Sequence, residues 1–189
     1  MQPFKGYMIP GLYFESDYCL YILRWEETPT QIKKMTQIWV VTPENKKICY
    51  IDPAGGIPVF NKYHLFDEVT GAQINIQEDR NHIKIRCRTS NEEILTADIQ
   101  PEVTLENRIV NLLLNIKYTK KLLITKGKTE TGKAFSNEPV RIVAITDAKV
   151  IFHGTSQGKL IKPKRKIKIG DGEISEKALV NYCVHHLEE

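Results

Sequence analysis

The stretch Ile83-Lys84-Ile85-Arg86-Cys87-Arg88 decides the fold. Its apolar and basic side chains alternate with a period of two. That spacing puts Ile83, Ile85 and Cys87 on one face of a strand and Lys84, Arg86 and Arg88 on the other. A strand with one apolar and one charged face belongs in an antiparallel sheet with one wet side. The pattern spreads both ways. Upstream, Ala72, Ile74 and Ile76 alternate with polar residues, and Asp79-Arg80-Asn81 supplies the turn between the two runs. Downstream, Ser90-Asn91-Glu92 turns the chain into a third run, Glu93 to Ile99.

Further strands flank this core. Tyr13-Phe14 and Tyr18 to Leu23 are separated by Glu15-Ser16-Asp17. Thr30 to Met35 reads as a helical turn, and Gln37 to Val41 pairs with Lys47 to Ile51 about the turn Pro43 to Lys46. Asp52 to Pro58 is a loop by composition. After Pro101, Thr104 is the expected N-cap of a helix, with Glu106 in its first turn. Ile109, Leu112, Leu113 and Ile116 follow at helical spacing, and Lys117, Lys120 and Lys121 close the end. This apolar stripe is expected to cover the sheet or plug a barrel mouth. Leu122 to Ile124 then reads as a strand and 126–138 as a polar loop. Val140 to Ala144 and Lys149 to Phe152 read as strands about the turn Thr146-Asp147-Ala148. Lys159 to Ile169 is a basic, strand-like run interrupted by Pro163. A second helix is expected from an N-cap near Ser175 to the end, with Leu179, Tyr182, Cys183 and His186 on its inner face. Many short strands and two short amphipathic helices predict a single domain over 1–189. Its class is α+β and mainly β, a closed or strongly curled antiparallel barrel or cone, because closure removes exposed edges.

Composition is that of a globular chain, with 41% apolar and 26% charged residues among 189. No apolar run approaches the roughly 18 residues of a membrane span, and the start resembles no signal peptide. Cys19, Cys49, Cys87 and Cys183 are far apart and mostly sit in apolar runs. They read as structural thiols in a reducing, cytoplasmic compartment. The formal charge is uneven, net −2 over residues 1–100 and net +6 over 101–189.

Several motifs fail on their chemistry. Gly127-Lys128-Thr129 mimics the end of a phosphate loop but lacks the earlier glycine. Cys183, His185 and His186 do not fall on one helical face, so no metal is assigned, and the histidines read as a surface pair. No G-x-S-x-G elbow exists. Lys159, Lys162, Lys164, Arg165, Lys166 and Lys168 form a basic patch that fits a phosphate backbone or an acidic partner. No aromatic is interleaved between Gly154 and Asp171, which disfavours nucleic acid and favours a lysine-protected edge strand. The stretch Tyr63-His64-Leu65-Phe66-Asp67-Glu68-Val69-Thr70-Gly71 combines aromatics, a histidine and paired acids. That mixture suits a ligand site, with Asp67 or Glu68 as a base or polar anchor, His64 beside it, and Trp39 and Tyr63 as walls.

One resemblance emerges from the order of these elements. The patch Tyr63 to Gly71 precedes the strands of 72–99. After the helix come Tyr118 to Ile124, a Gly-containing loop, Ile145 to Val150, and His153-Gly154-Thr155-Ser156-Gln157-Gly158-Lys159-Leu160. This order resembles the acetoacetate decarboxylase family over roughly residues 10–180. The resemblance implies a cone-like antiparallel barrel around a small-ligand cavity. It also implies a Schiff-base lysine in a Pro-Lys-Lys-type motif, but this chain has Asp67 and Glu68 at that place and Asp17 where the family's arginine falls. A carboxylate forms no imine. The expectation is therefore a small-molecule-binding barrel, acting on a small organic acid or keto compound if it is an enzyme, without lysine-imine chemistry and without a cofactor. The alternative is a non-enzymatic interaction protein using the basic 159–168 segment. An exposed edge or the last helix offers a surface for homo-oligomers.

Overall fold

A computed structural model describes residues 2–188. Strands β1 (Gln2–Tyr13), β2 (Cys19–Glu27), β3 (Met35–Val41) and β4 (Lys47–Asp52) form an antiparallel meander. A short 3-10 turn (Ala54–Gly56) and helix α1 (Ile57–Asn61) lead to β5 (Glu68–Gly71), which runs parallel to β4. A second meander holds β6 (Gln73–Glu78), β7 (Ile83–Arg88) and β8 (Glu93–Glu102). Helices α2 (Leu105–Leu114) and α3 (Lys117–Leu122) and strand β9 (Thr125–Lys128) precede the 19-residue β10 (Ala134–Phe152). Strand β11 (Thr155–Ser156), the hairpin β12 (Lys168–Ile169) and β13 (Gly172–Glu173), and β14 (Leu179–Leu187) complete the chain.

The main sheet has the order β5-β4-β3-β2-β1-β14-β10-β8-β7-β6. Its two ends, β5 and β6, are consecutive in sequence and separated only by Ala72. There, Ala72 N donates to Ile51 O at 2.9 Å and Ile74 N to Asp52 Oδ2 at 2.8 Å. The chain itself bridges the seam, so the sheet is a nearly closed barrel. The long β10 makes this possible by pairing with β14 along its first half and with β8 along its second half.

One core fills the barrel. Leu20, Ile22, Ile38, Val40, Ile85, Ile99, Val150 and Val180 pack there with residues from every long strand. The alternation of 83–88 is realised as expected: Ile83, Ile85 and Cys87 are buried, and the three basic side chains are exposed. A second core lies on the outer face of β1–β3 and β14, where Tyr21, Leu23, Trp25, Met35, Trp39 and Cys183 pack beneath a covering layer. Strands β2 and β3 are thus buried on both faces. All four cysteines are buried and unbridged. Burial pushes the Cys19, Cys87 and Cys183 thiols up to about 12, so they stay protonated. No described helix is long and apolar enough to cross a membrane.

Five expectations are corrected. Residues 179–187 form a strand at the centre of the sheet, not a covering helix. Val180 enters the barrel core while Cys183 and Leu187 enter the outer one, so both faces are apolar and the period of two is lost. Residues 140–152 are one strand; the chain passes 146–148 as an irregularity near Ile145/Asp147 without turning. Leu122 ends α3, and no strand forms at 122–124. Residues 30–35 contain no helical turn, and Met35 already begins β3. Finally, the stripe of α2 covers nothing. Leu105, Ile109, Leu112 and Ile116 are 52–74% exposed, and the helix docks through its amides. Asn107 Oδ1 accepts Ala144 N, and Asn111 accepts Ile142 N and donates to Ile142 O, each at 2.8 Å. Those bonds satisfy the stretch of β10 that no strand pairs on that side. Unpaired buried backbone is costly, so they outweigh burial of the stripe.

Candidate ligand-binding site

Between the outer face of the sheet and its cover lies a cavity of about 390 Å³, within the size range of small-molecule sites. Strand register builds its floor. On one row Asn137 of β10 lies opposite His185 of β14, which lies opposite Phe4 of β1. On another, Asn181 follows Ile142 and precedes Met8, Leu23 and Gln37. On a third, Tyr21 lies beside Trp39. The cover comes from three distant segments: Val59 to His64, Leu123 to Thr129, and the β12–β13 hairpin around Ile169 to Glu173.

Polar bonds hold this cover down. Asp67 Oδ2 accepts Lys47 N at 2.7 Å, and Asp67 N donates to Lys47 O at 3.0 Å. Thr131 Oγ1 donates to Lys62 O at 2.7 Å, and Asp171 Oδ2 accepts Lys128 N at 2.7 Å. Glu130 accepts Leu65 N and pairs with Lys47. Burial alone would push the Glu130 carboxyl up, but His64, Lys47 and the Leu65 amide together hold it below the usual carboxylate range.

The walls are largely aromatic. Trp39 meets Phe60 at 5.9 Å and His64 at 4.8 Å between ring centres. His185 lies between Trp25 and Phe135, 5.7 and 5.5 Å away. Burial, with smaller contributions from His64 and His186, pushes the His185 imidazolium down to about 4, so the ring is neutral at pH 7. Gln37 is internally satisfied, accepting Trp39 Nε1 at 2.9 Å. Other groups are not. Tyr21 Oη, Asn137 Oδ1, Asn181 Oδ1 and His185 Nδ1 are buried with no hydrogen-bond partner among the described residues, and all four residues line this cavity. His64 Nδ1 is 3.6 Å from Glu130 Oε2, longer than a hydrogen bond. Among the described residues, no cluster of three or more His, Cys, Asp or Glu is placed to hold a metal ion.

No protein-family model and no curated protein matches the sequence. Solved structures do match. The crystal structure of acetoacetate decarboxylase from Legionella pneumophila subsp. pneumophila str. Philadelphia 1 superposes with a TM-score of 0.52 at 9% identity, covering 98% of this chain and 83% of that one. A second acetoacetate decarboxylase structure gives 0.50 at 10% identity, covering 98% and 86%. The chain has an acetoacetate decarboxylase-like fold.

Within this acetoacetate decarboxylase-like fold the sequence-picked residues separate. Trp39, Tyr63 and His64 line the cavity. Asp67 and Glu68 do not; both are exposed, Asp67 clamping β4 and Glu68 paired with Lys46. Neither is a buried base, because the chain from 66 onward turns out of the cover to begin β5. No lysine or arginine is among the described residues lining the cavity. The basic segment is an extended arm rather than an edge strand. Ile161, Ile167 and Ile169 turn toward the outer core, while Lys162, Lys164, Lys166 and Lys168 are exposed. Lys159 is also exposed. Arg165 leaves the patch: it donates to Thr42 O at 2.6 Å and also binds Asn45. Sequence reasoning missed Tyr21, Asn137, Asn181 and His185 as a group. They come from three strands, and only register unites them.

Proposed function

We propose that this chain binds a small organic molecule in the cavity beneath the cover, by chemistry that does not use a lysine imine. One observation carries the reading: four residues lining one aromatic-walled cavity each hold a buried polar atom without a partner among the described residues. Buried polar groups are ordinarily paired, and leaving them unpaired costs stability that a ligand recovers on binding. The family likeness supports the fold, and the acidic and basic residues around the cavity supply no nucleophilic amine. A keto compound, the second of the two substrate types expected from sequence, suits these walls.

Both tryptophans of the chain, Trp25 and Trp39, line the cavity, so a ligand there changes their emission. A screen of small carbonyl compounds should yield ligands that shift that emission and raise the melting temperature. Hits that bind Asn181→Leu as well as the parent, with no change in emission, would place binding elsewhere and sink the reading. A second reading rests on the outward alternation of Lys162, Lys164, Lys166 and Lys168, which suits an acidic partner. Unchanged, salt-insensitive retention on heparin after reversing all four charges would eliminate it.

A further inference from the structure

Resting on that reading, the cavity walls narrow the ligand further. We infer that the site takes an uncharged, largely apolar molecule carrying a neutral oxygen function, a ketone or an alcohol, and rejects the matching carboxylate.

The charge inventory carries the argument. The ionisable residues facing the cavity are His64 and His185 from the wall and Asp171 and Glu173 from the β12–β13 hairpin. Neither acid invites a second carboxylate. Asp171 Oδ2 accepts a backbone amide, and Glu173 pairs with Lys168 at 3.2 Å. Lys47, a nearby cation, is committed to Glu130 behind the His64 ring. His185 supplies no positive charge, because it is held neutral between two aromatic rings. An anion drawn into this space would be desolvated with no lysine or arginine on the walls to meet it, and an unpaired buried charge is among the most costly states a protein can hold. The neutral groups, by contrast, suit a neutral oxygen. Tyr21 offers a hydroxyl donor, and each amide of Asn137 and Asn181 offers a donor and an acceptor. The acceptor edges of both amides are unpaired, which repels a carboxylate and welcomes a hydroxyl. The aromatic surfaces around them accept a flat apolar body.

Three matched probes test this: a naphthyl ketone, the corresponding naphthyl alcohol and the corresponding naphthyl carboxylic acid. Each is titrated into the full chain at pH 7.5 by tryptophan emission and by calorimetry. The ketone and alcohol should bind at least about tenfold more tightly than the carboxylate. Asn181→Leu should weaken the alcohol roughly fivefold or more while leaving naphthalene itself unaffected. Tyr21→Phe provides a second, near-isosteric variant expected to act the same way on the ketone. A carboxylate that binds as tightly as the alcohol, and loses affinity in Asn181→Leu, would overturn the neutrality inference while leaving the cavity reading intact. If no probe changes the emission or gives heat, the cavity reading itself falls, and the inference with it.

Discussion

Replacing Tyr21 with phenylalanine should leave the free protein at least as stable as the parent, the reverse of the usual result. Tyr21 is 5% exposed, and its hydroxyl has no partner among the described residues. Its ring packs 5.7 Å from Trp39, and Tyr21→Phe keeps that contact. Removing a hydroxyl from a satisfied hydrogen bond costs about 1 kcal/mol, whereas a buried, unsatisfied one costs about 1–3 kcal/mol. If the Tyr21 oxygen is dry, Tyr21→Phe should therefore gain roughly 1 kcal/mol or more. If solvent reaches it through the cavity, the gain falls toward zero. In a chain of this size 1 kcal/mol moves the melting temperature by roughly 2–4 °C. Urea unfolding followed by tryptophan emission measures the change, and an unaltered m-value shows that the unfolded state is not responsible. The same variant should bind the ketone probe less well, since stabilising a binding site against its own unmet groups works against its ligand. A loss of stability above about 1 kcal/mol would refute the reasoning, because it would show that the hydroxyl has a partner within the fold.

The remaining predictions concern the neighbouring groups. Glu130→Gln strands a Lys47 side chain that is only 25% exposed, and should cost about 1–2 kcal/mol in urea at pH 7. The Glu130 carboxyl is held low in the folded state, so its contribution is complete above the unfolded carboxylate value, roughly 4.3. The gap between parent and variant should close as pH falls through the lower folded value. For His185, held down to about 4, the unfolded chain takes a proton that the folded chain refuses, so stability is full above roughly 6.5 and declines as pH falls toward 4. His185→Gln should flatten that slope, which reaches at most about 1.4 kcal/mol per pH unit, in paired urea curves at pH 5 and 7.5. Gly170→Ala should cost roughly 1–3 kcal/mol and loosen the probe complex. Gly170 has φ +58°, and a Cβ there would meet Lys128 O at 2.5 Å, forcing the β12–β13 hairpin off β9.

The legible parts of this fold are those where one face is wet. Residues 83–88 read correctly because water enforces the polar side of β7. Strand β14 misled because both its faces are buried: Val180, Cys183 and Leu187 recur at intervals of three and four, as on a helix, yet they serve two different cores. The α2 stripe misled in the opposite way, since its spacing gave a helix but not the partner of its apolar face. Asn107 and Asn111 decide that, and only in the presence of the unpaired stretch of β10. The candidate site was half visible. Tyr63 and His64 were found because aromatics cluster near 60–66 in the sequence, and Trp39 was added as a second wall from the strand at 37–41. Asn137 and His185 were not, because they are 48 residues apart and meet only through the pairing of β10 with β14. Glu130, a lone acid in a polar loop, carried no signal at all.

The cavity and the barrel core rest on different residues. The barrel interior is filled with aliphatic side chains and with Tyr7, Phe14, Tyr50 and Phe152, none of which lines the cavity. The cavity depends on the outer face and on a cover tied to the sheet by the bond of Asp67 to Lys47, by the pairing of β9 with β10 and by buried apolar contacts, with the bonds of Thr131 to Lys62 and Asp171 to Lys128 joining its segments to one another. Each such bond is worth on the order of 1 kcal/mol, far less than a β2 or β3 ladder paired on both sides and buried on both faces. Tyr21 Oη, Asn137 Oδ1, Asn181 Oδ1 and His185 Nδ1 hold no element of the barrel together, so their replacement by apolar groups of similar shape leaves the sheet's own contacts in place.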